Sequence, residues 1–485
     1  MRVADIVIVI GYLLASALIP VFVGLRQKNK EDFMLAGKKM HWFPLALSGV
    51  AASFSAISLL GAPGFVMGND MRYLPTLFVG LLSIPIVFFL VVPFLYKLSL
   101  VSAYEYLEDR FCPALRYAAS AVFMISKLGY LSLSIFTPSL ALSSVTGLPI
   151  ELFIVIFGLL TTFYTMIGGL EGVIWCDVMQ YVVMVAGIAG VVIYFVCGDV
   201  GSYWQTAELA GKTKTWDFDL RLDNLSVWVL FLNCTLMGIA GTCSDQSSVQ
   251  RLLSAKSLKD SMRGYLFSTI FGIPIVLVLY FIGACLYGFF HTEASLPPEI
   301  AGVPDKVFPY FIGHYLPSGV AGILLAAILA AGMSTISVVL HSLTSLFMVD
   351  VYEKITRNKA EGKRYVLISR IVTLAWGVLA VILAFFVMHV GNSIVEVSQV
   401  LASLLSAPLG GIFMLGIFTR RTNAAGAIAG GIAGFMATAG SWALNFYDVI
   451  KINFMWYAVF GLIATWAVGY VISLLTFSKE RELQK

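Results

Sequence analysis

The sequence predicts an all-α polytopic membrane protein built from two five-helix repeats of opposite orientation, with further helices at either end. Three observations predict it. About thirteen apolar runs are long enough to cross the hydrocarbon core, which takes roughly 20 helical residues for about 30 Å. Basic residues crowd into alternate loops. The first span of each group of five is also the most polar and the most interrupted.

The 485 residues are 59% hydrophobic and 12% charged, with mean hydropathy +0.90, which excludes the soluble globular classes. In order, the expected spans cover 5–25, 43–67, 74–98, 116–145, 149–167, 172–197, 226–243, 264–290, 318–348, 366–389, 394–418, 424–445 and 454–476. The first run is too long for a signal-peptide core, has no small-residue cleavage site and precedes the basic RQKNK, so it reads as a retained helix.

Orientation follows from the loops, since short positively charged loops stay in the cytoplasm. One alternate set, including 26–39, 251–263 and 354–370, holds 23 of the 31 Lys and Arg; the opposite set holds 7, and Lys127 lies inside a span. The amino terminus is therefore expected outside and the carboxyl terminus inside. The net charge of +4 is a topology signal spread over short segments, not a nucleic-acid footprint. Six cysteines without a CxxC argue against a disulfide framework or a zinc site.

The longest polar stretch, 198–224, divides ten helices into two fives. The expected organisation is 1–41 as an extra helix and loop, 42–197 as the first repeat, 198–225 as an external loop, 226–418 as the second repeat, and 419–485 as two further helices and a tail. An odd number of helices per repeat turns the second copy upside down, as in secondary transporters. In SGVAASFSAISLLGAPG (48–64), Gly61, Pro63 and Gly64 lower the cost of opening the helix; NCTLMGIAGTCSDQ (233–246) is its counterpart. Such a break either exposes carbonyls to a ligand or is a simple kink with small residues for close packing.

The ninth span carries AGMSTISVV (331–339), with Ser334 and Ser337 on one helical face and Thr335 one step around it. Neutral hydroxyls with bare carbonyls suit a hard monovalent cation that must be released every cycle. They also suit helix bending and interhelical hydrogen bonding. Asp177, early in the sixth span, either caps that helix or handles a cation or proton. Lys127, three residues before Tyr130, either faces an anionic solute or snorkels to the cytoplasmic interface. Glu105 and Glu108 read as part of a solvated cytoplasmic helix. The sequence contains no HExxH and no GxxxxGK[ST], so neither metal catalysis nor ATP-driven pumping is expected.

At EDFMLAGKKM, SAYEYLEDRF, YTMIGGLEGVIWCDVMQ, DQSSVQR, AGMSTIS and GIFTRRTNAAGAIAGGIAGFM the chain resembles the sodium:solute symporter family across nearly its whole length. IFTPSLALSSVTGLP is similar to the iodide, monocarboxylate and multivitamin carriers, and the regions around Ala51 and Asp177 to bacterial sialic acid symporters. The resemblance implies the leucine-transporter fold with one helix added before the ten-helix core and two after it. It implies sodium ligation by the carbonyls of Ala51, Phe54 and Ala331 and the hydroxyls of Ser334 and Thr335. Some relatives hold a second sodium, here matching Asp177, Ser334 and Ser337; its last hydroxyl position is Val338, so one sodium is expected and two is the alternative. Solute contacts match Ser53, Ser55, Ser58, Tyr73, Leu77 and Tyr130, with Lys127 one turn away. Sialic acid carriers have an arginine where this chain has Tyr130 and a glutamine where it has Leu77, which weakens a sialate reading.

The expectation is a multi-pass symporter of the cell membrane, of the bacterial inner-membrane type, that couples Na+ entry to import of a small organic anion such as a monocarboxylate or sugar acid. A sugar or sialic acid is the next solute class. A proton-coupled carrier resting on Asp177 is the rival mechanism, and a membrane sensor the rival class, for which no loop is large enough to hold an output domain. An enzyme would need a nucleophile or metal cluster that the sequence does not display.

Overall fold

The computed structural model describes residues 2–24, 26–98, 100–356, 361–387, 400 and 402–483. Thirteen helical segments organise it: α1 (Val3–Gly24), α2 (Trp42–Ser53), α3 (Ala56–Gly68), α4 (Thr76–Leu98), α5 (Pro113–Thr146), α6 (Ile150–Cys197) and α7 (Val227–Ser244). They continue as α8 (Leu258–Thr292), α9 (Val320–Leu346), α10 (Gly362–Val387), α11 (Ala402–Phe418), α12 (Ala424–Phe446) and α13 (Met455–Leu483). No strand of a sheet occurs among the described residues. By length and apolarity ten helices can each cross a membrane, and the bent pair α2 and α3 together forms an eleventh crossing.

α6 is one helix by hydrogen bonding yet 48 residues long, about 72 Å at 1.5 Å per residue and far more than one crossing needs. Gly169 divides it with φ 53° and ψ −163°, dihedrals open to glycine and costly for residues with a side chain. This is the gap between the expected spans 149–167 and 172–197. Of the expected span 394–418, residues 394–399 and 401 lie outside the described residues; the remainder forms α11.

The break in the first core span differs from the expectation. Gly61, Pro63 and Gly64 stay inside α3, whereas Phe54 and Ser55 are extended and the helix axes on either side meet at 53°. The proline-rich end serves packing instead: a Cβ on Gly283 of α8 would stand 3.0 Å from Pro63 Cα and 2.8 Å from Val66 Cβ. In the second repeat α7 stops at Asp245, itself extended, and a short helix Gln246–Leu253 resumes.

α9 is the central post. In its most apolar window 94% of residues are buried, against 22% for α1 and 33% for α6. It packs against α1, α2, α3, α5, α6 and α10. A helix surrounded by protein on every side can carry hydroxyls that lipid would penalise. At its cytoplasmic end, by the expected orientation, Asp350 accepts from Arg116 at 2.5 Å and from Ser120 and Ser102. Arg116 also reaches Glu108 at 2.5 Å, and this hydrogen bond holds the Glu108 carboxyl below its usual range. Glu108 is thus part of an ion-pair network, and Glu105 accepts from the Ser102 N–H at 2.8 Å, so neither belongs to a merely solvated face.

Close contact of α6 with α9 depends on Gly187, where a Cβ would lie 2.6 Å from Ala327 Cβ and 3.1 Å from Leu324 Cα. We expect Gly187→Val to destabilise the protein by about 1–3 kcal/mol through overpacking. Thermal unfolding of the purified variant in detergent checks this, and an unchanged midpoint would show that α9 does not depend on this contact.

Candidate functional site

Opening α2 from α3 removes two residues from the helical ladder in a region where water is scarce, so the freed carbonyls need partners. The Ala51 carbonyl receives the Ser334 hydroxyl at 2.9 Å, and the same Oγ lies 3.0 Å from the Ala331 carbonyl. Thr335 Oγ1 donates to the Ala331 carbonyl at 3.1 Å. Ala51, Ala331, Ser334 and Thr335 are all buried. One hydroxyl therefore joins the broken helix of the first repeat to the central helix of the second. Phe54, extended and just past the end of α2, keeps its N–H on the Val50 carbonyl at 3.1 Å. Oxygens spaced about 3 Å apart match the edges of a cage with metal–oxygen bonds of ~2.3–2.6 Å, as hard cations of this size prefer.

Asp177 is fully buried eight residues beyond the Gly169 break and accepts from Ser48 Oγ of α2 at 2.6 Å. Its Oδ1 has no hydrogen-bond partner among the described residues. Asp177 is therefore tied across to α2 and does not cap the start of its own helix segment. Ser337 Oγ donates to the Ser334 carbonyl at 3.0 Å, and no hydrogen bond joins Ser337 to Asp177 among the described residues. Ser48 carried no sequence signal beyond being one more hydroxyl in a polar span.

Beside the break lies a chamber of about 380 Å³. Ser53, Ser55, Ser58, Tyr73, Leu77 and Tyr130 all line it, together with Thr76 and Tyr280, which the sequence reading did not single out. Thr76 adjoins Leu77 in sequence, whereas Tyr280 lies in an ordinary apolar run. No charged side chain lines the chamber among the described residues. Ser55 is the N-cap position of α3 and its side chain makes no capping bond, so the first N–H groups of that helix have no side-chain cap. Ser53, Phe54, Thr76, Leu77 and Val276 are shared with a second chamber of about 370 Å³ that runs on to Arg251, Ser261 and Tyr265.

Lys127 does not line the chamber. Its Nζ binds Asp245 Oδ2 at 2.5 Å and lies 5.6 Å from the centre of the Tyr130 ring. The cation thus meets the carboxylate at the break between α7 and the following short helix, and its charge is compensated inside the protein. Neither interfacial snorkelling nor a free charge for an anionic solute describes it. The legible signal was the coincidence of one lysine inside a span with one aspartate at the end of the most polar span of the second repeat.

The sodium:solute symporter family model matches residues 33–434. The chain belongs to the sodium:solute symporter family. It is 28% identical to the sodium/sialic acid symporter NanT of Aliivibrio fischeri over 95% of this chain and 91% of that one. It is 30% identical to human sodium-coupled monocarboxylate transporter 1 over 89% of this chain and 72% of that one. A solved substrate-bound, outward-open Na+-coupled sialic acid symporter superposes with TM-score 0.88 at 27% identity, covering 98% of each chain. MHP1, a nucleobase-cation-symport-1 transporter, shares the fold at TM-score 0.57 and 16% identity. The protein is accordingly a multi-span, sodium-coupled symporter with a leucine-transporter-type helix arrangement.

The Lys127–Asp245 pair is testable by a double-mutant cycle. Lys127→Met or Asp245→Asn alone is expected to cost about 1–3 kcal/mol, because each leaves a partly buried charge without its partner. The double variant is expected to lose less than the two losses added. Strict additivity of the unfolding midpoints would show that the pair does not form.

Proposed function

We propose that the family's sodium ion in this symporter is held between the carbonyls of Ala51, Phe54 and Ala331 and the hydroxyls of Ser334 and Thr335, and that its binding drives uptake of a small organic anion by alternating access. The observation that carries this reading is the Ser334 hydroxyl lying 2.9 Å from the Ala51 carbonyl, across the two repeats. An ion entering there takes the carbonyls that the hydroxyls now occupy as hydrogen-bond acceptors. It thereby gains affinity only when α2 and α9 stand at this separation, and that differential affinity is what shifts the population between states.

The solute contacts are Ser53, Ser55, Ser58, Tyr73, Leu77 and Tyr130, joined by Thr76 and Tyr280. Lys127 leaves this set, its charge being taken by Asp245. A carboxylate in a chamber lined by hydroxyls and apolar groups finds its compensating charge in the neighbouring sodium ion and at the start of α3, where the helix dipole is positive. The monocarboxylate transporters and sialic acid symporters among the relatives carry acids, which supports an anion. Tyr130 and Leu77 in place of the arginine and glutamine of sialic acid carriers favour the smaller monocarboxylate class.

With the amino terminus outside and thirteen crossings of the cell membrane, the second chamber leads from the solute position toward the basic loop 251–263 on the cytoplasmic side. The mechanism is that of a carrier without covalent chemistry. One sodium ion per cycle is the primary reading. The unpartnered Oδ1 of Asp177 favours a second cation as the alternative.

We expect Ser334→Ala and Thr335→Ala each to raise the sodium concentration for half-maximal uptake by at least tenfold, about 1.4 kcal/mol. Uptake of labelled short-chain carboxylates into proteoliposomes in sodium or choline medium measures this, and unchanged sodium dependence would refute the site. A Hill coefficient for sodium of about 1 is expected. A value near 2 that falls to about 1 in Asp177→Asn would establish the second ion instead.

A further inference from the structure

The motif GIFTRRTNAAG, at the loop between α11 and α12, plays no part in the sodium or solute geometry. Next to it, a groove of about 830 Å³ opens between α7, α11 and α13. Its walls are apolar, with Leu236, Met414, Leu462 and Ile463 along them. Ile463 is 52% and Val471 53% exposed, two helical turns apart on α13, so this face of the groove looks into hydrocarbon. The loop end of the groove is closed by Arg420 and Arg421.

Both arginines are exposed, and neither has a carboxylate partner among the described residues. The carbonyls at the end of α11, which they might otherwise cap, are already taken: Arg110 donates to the Thr419 carbonyl at 3.0 Å and to that of Gly416 at 3.4 Å. The helix end thus presents two guanidiniums, with Arg110 close behind, at the foot of an apolar channel.

We propose that this groove binds one anionic glycerophospholipid, its phosphate on Arg420 and Arg421 and an acyl chain along α13. Charge complementarity selects the headgroup, since guanidinium binds phosphate through paired, charge-assisted hydrogen bonds. A free phosphate would satisfy the arginines but leave the groove uncovered, and a zwitterionic lipid would fill the groove but bring its own cation to the arginines. Only an anionic amphiphile answers both halves of the site. Because 419–423 belongs to the basic loops expected in the cytoplasm, the lipid comes from the cytoplasmic leaflet, where such loops meet anionic headgroups.

The test is native mass spectrometry of the full-length protein in detergent, titrated separately with phosphatidylglycerol and phosphatidylcholine of the same acyl chains. One phosphatidylglycerol is expected to be retained per chain, at roughly thirtyfold higher affinity than phosphatidylcholine, as two interfacial arginines would supply. Arg420→Ala/Arg421→Ala is expected to abolish the preference while sodium-dependent stabilisation persists, which separates this site from the transport site. Ala467→Trp, which blocks the groove without touching the arginines, is expected to remove the retained lipid and serves if the double variant does not fold. Equal retention of both lipids, a preference that survives the arginine substitutions, or equal protection by soluble glycerol phosphate would overturn the proposal. A lipid-free dimer that masks the groove would overturn it as well.

Discussion

The rest of the molecule depends on one constraint: inside a bilayer, backbone carbonyls released from a helix must be met by other groups. At Phe54 and Ser55 the chain leaves the helical ladder, and the central helix answers with the Ser334 hydroxyl on the Ala51 carbonyl. The answer is provided by alcohols, which carry no charge of their own, so the same oxygens can serve a sodium ion or one another. A carboxylate at Ser334 would satisfy the opened backbone poorly, being an acceptor facing acceptors, and would hold a cation too tightly to release it.

Charge inside this protein follows a matching rule. Lys127 is neutralised by Asp245, and Arg116 by Asp350 and Glu108; the pairs with Asp245 and Asp350 span segments distant in sequence. Breaking such a pair leaves an uncompensated charge, so these contacts fix how the helices sit against each other even where their net energy is small. Asp177 is held more loosely: it makes no ion pair within 4 Å among the described residues, with Arg251 acting on it electrostatically from further off, one oxygen on Ser48 and the other without a hydrogen bond. The free Oδ1 is what makes Asp177 a position of interest for cation coupling.

The chamber proposed to hold the solute, by contrast, is lined without formal charge among the described residues. Hydroxyls of serine, threonine and tyrosine can donate or accept, so they fit a solute's polar rim without demanding one sign of charge. On the proposed reading, discrimination for an anion rests on the sodium ion and the start of α3. Coupling between ion and solute is built into such an arrangement, because without the ion an anionic solute loses its nearest cation.

Much of this was legible in the sequence. Hydropathy and loop charge located the spans, because crossing hydrocarbon forces about 20 apolar residues whatever the neighbours do. The gap between the expected spans 149–167 and 172–197 falls at the bend of α6, where Gly169 takes a positive φ. The hydroxyl cluster 334–337 was visible because polarity in a span is rare. Other features were decided only by tertiary structure. The helix opened at Phe54 and Ser55 and not at Pro63, because proline tolerated in a helix is a local matter whereas opening pays off only where Ser334 waits to receive the carbonyl. Lys127 found Asp245, 118 residues away, and the chamber recruited Tyr280, because which side chains meet depends on how helices pack and not on spacing along the chain. Periodicity and charge are local or additive properties that one strand of text preserves; the partner of a buried group is a property of three-dimensional adjacency, and it exists only once the chain has folded.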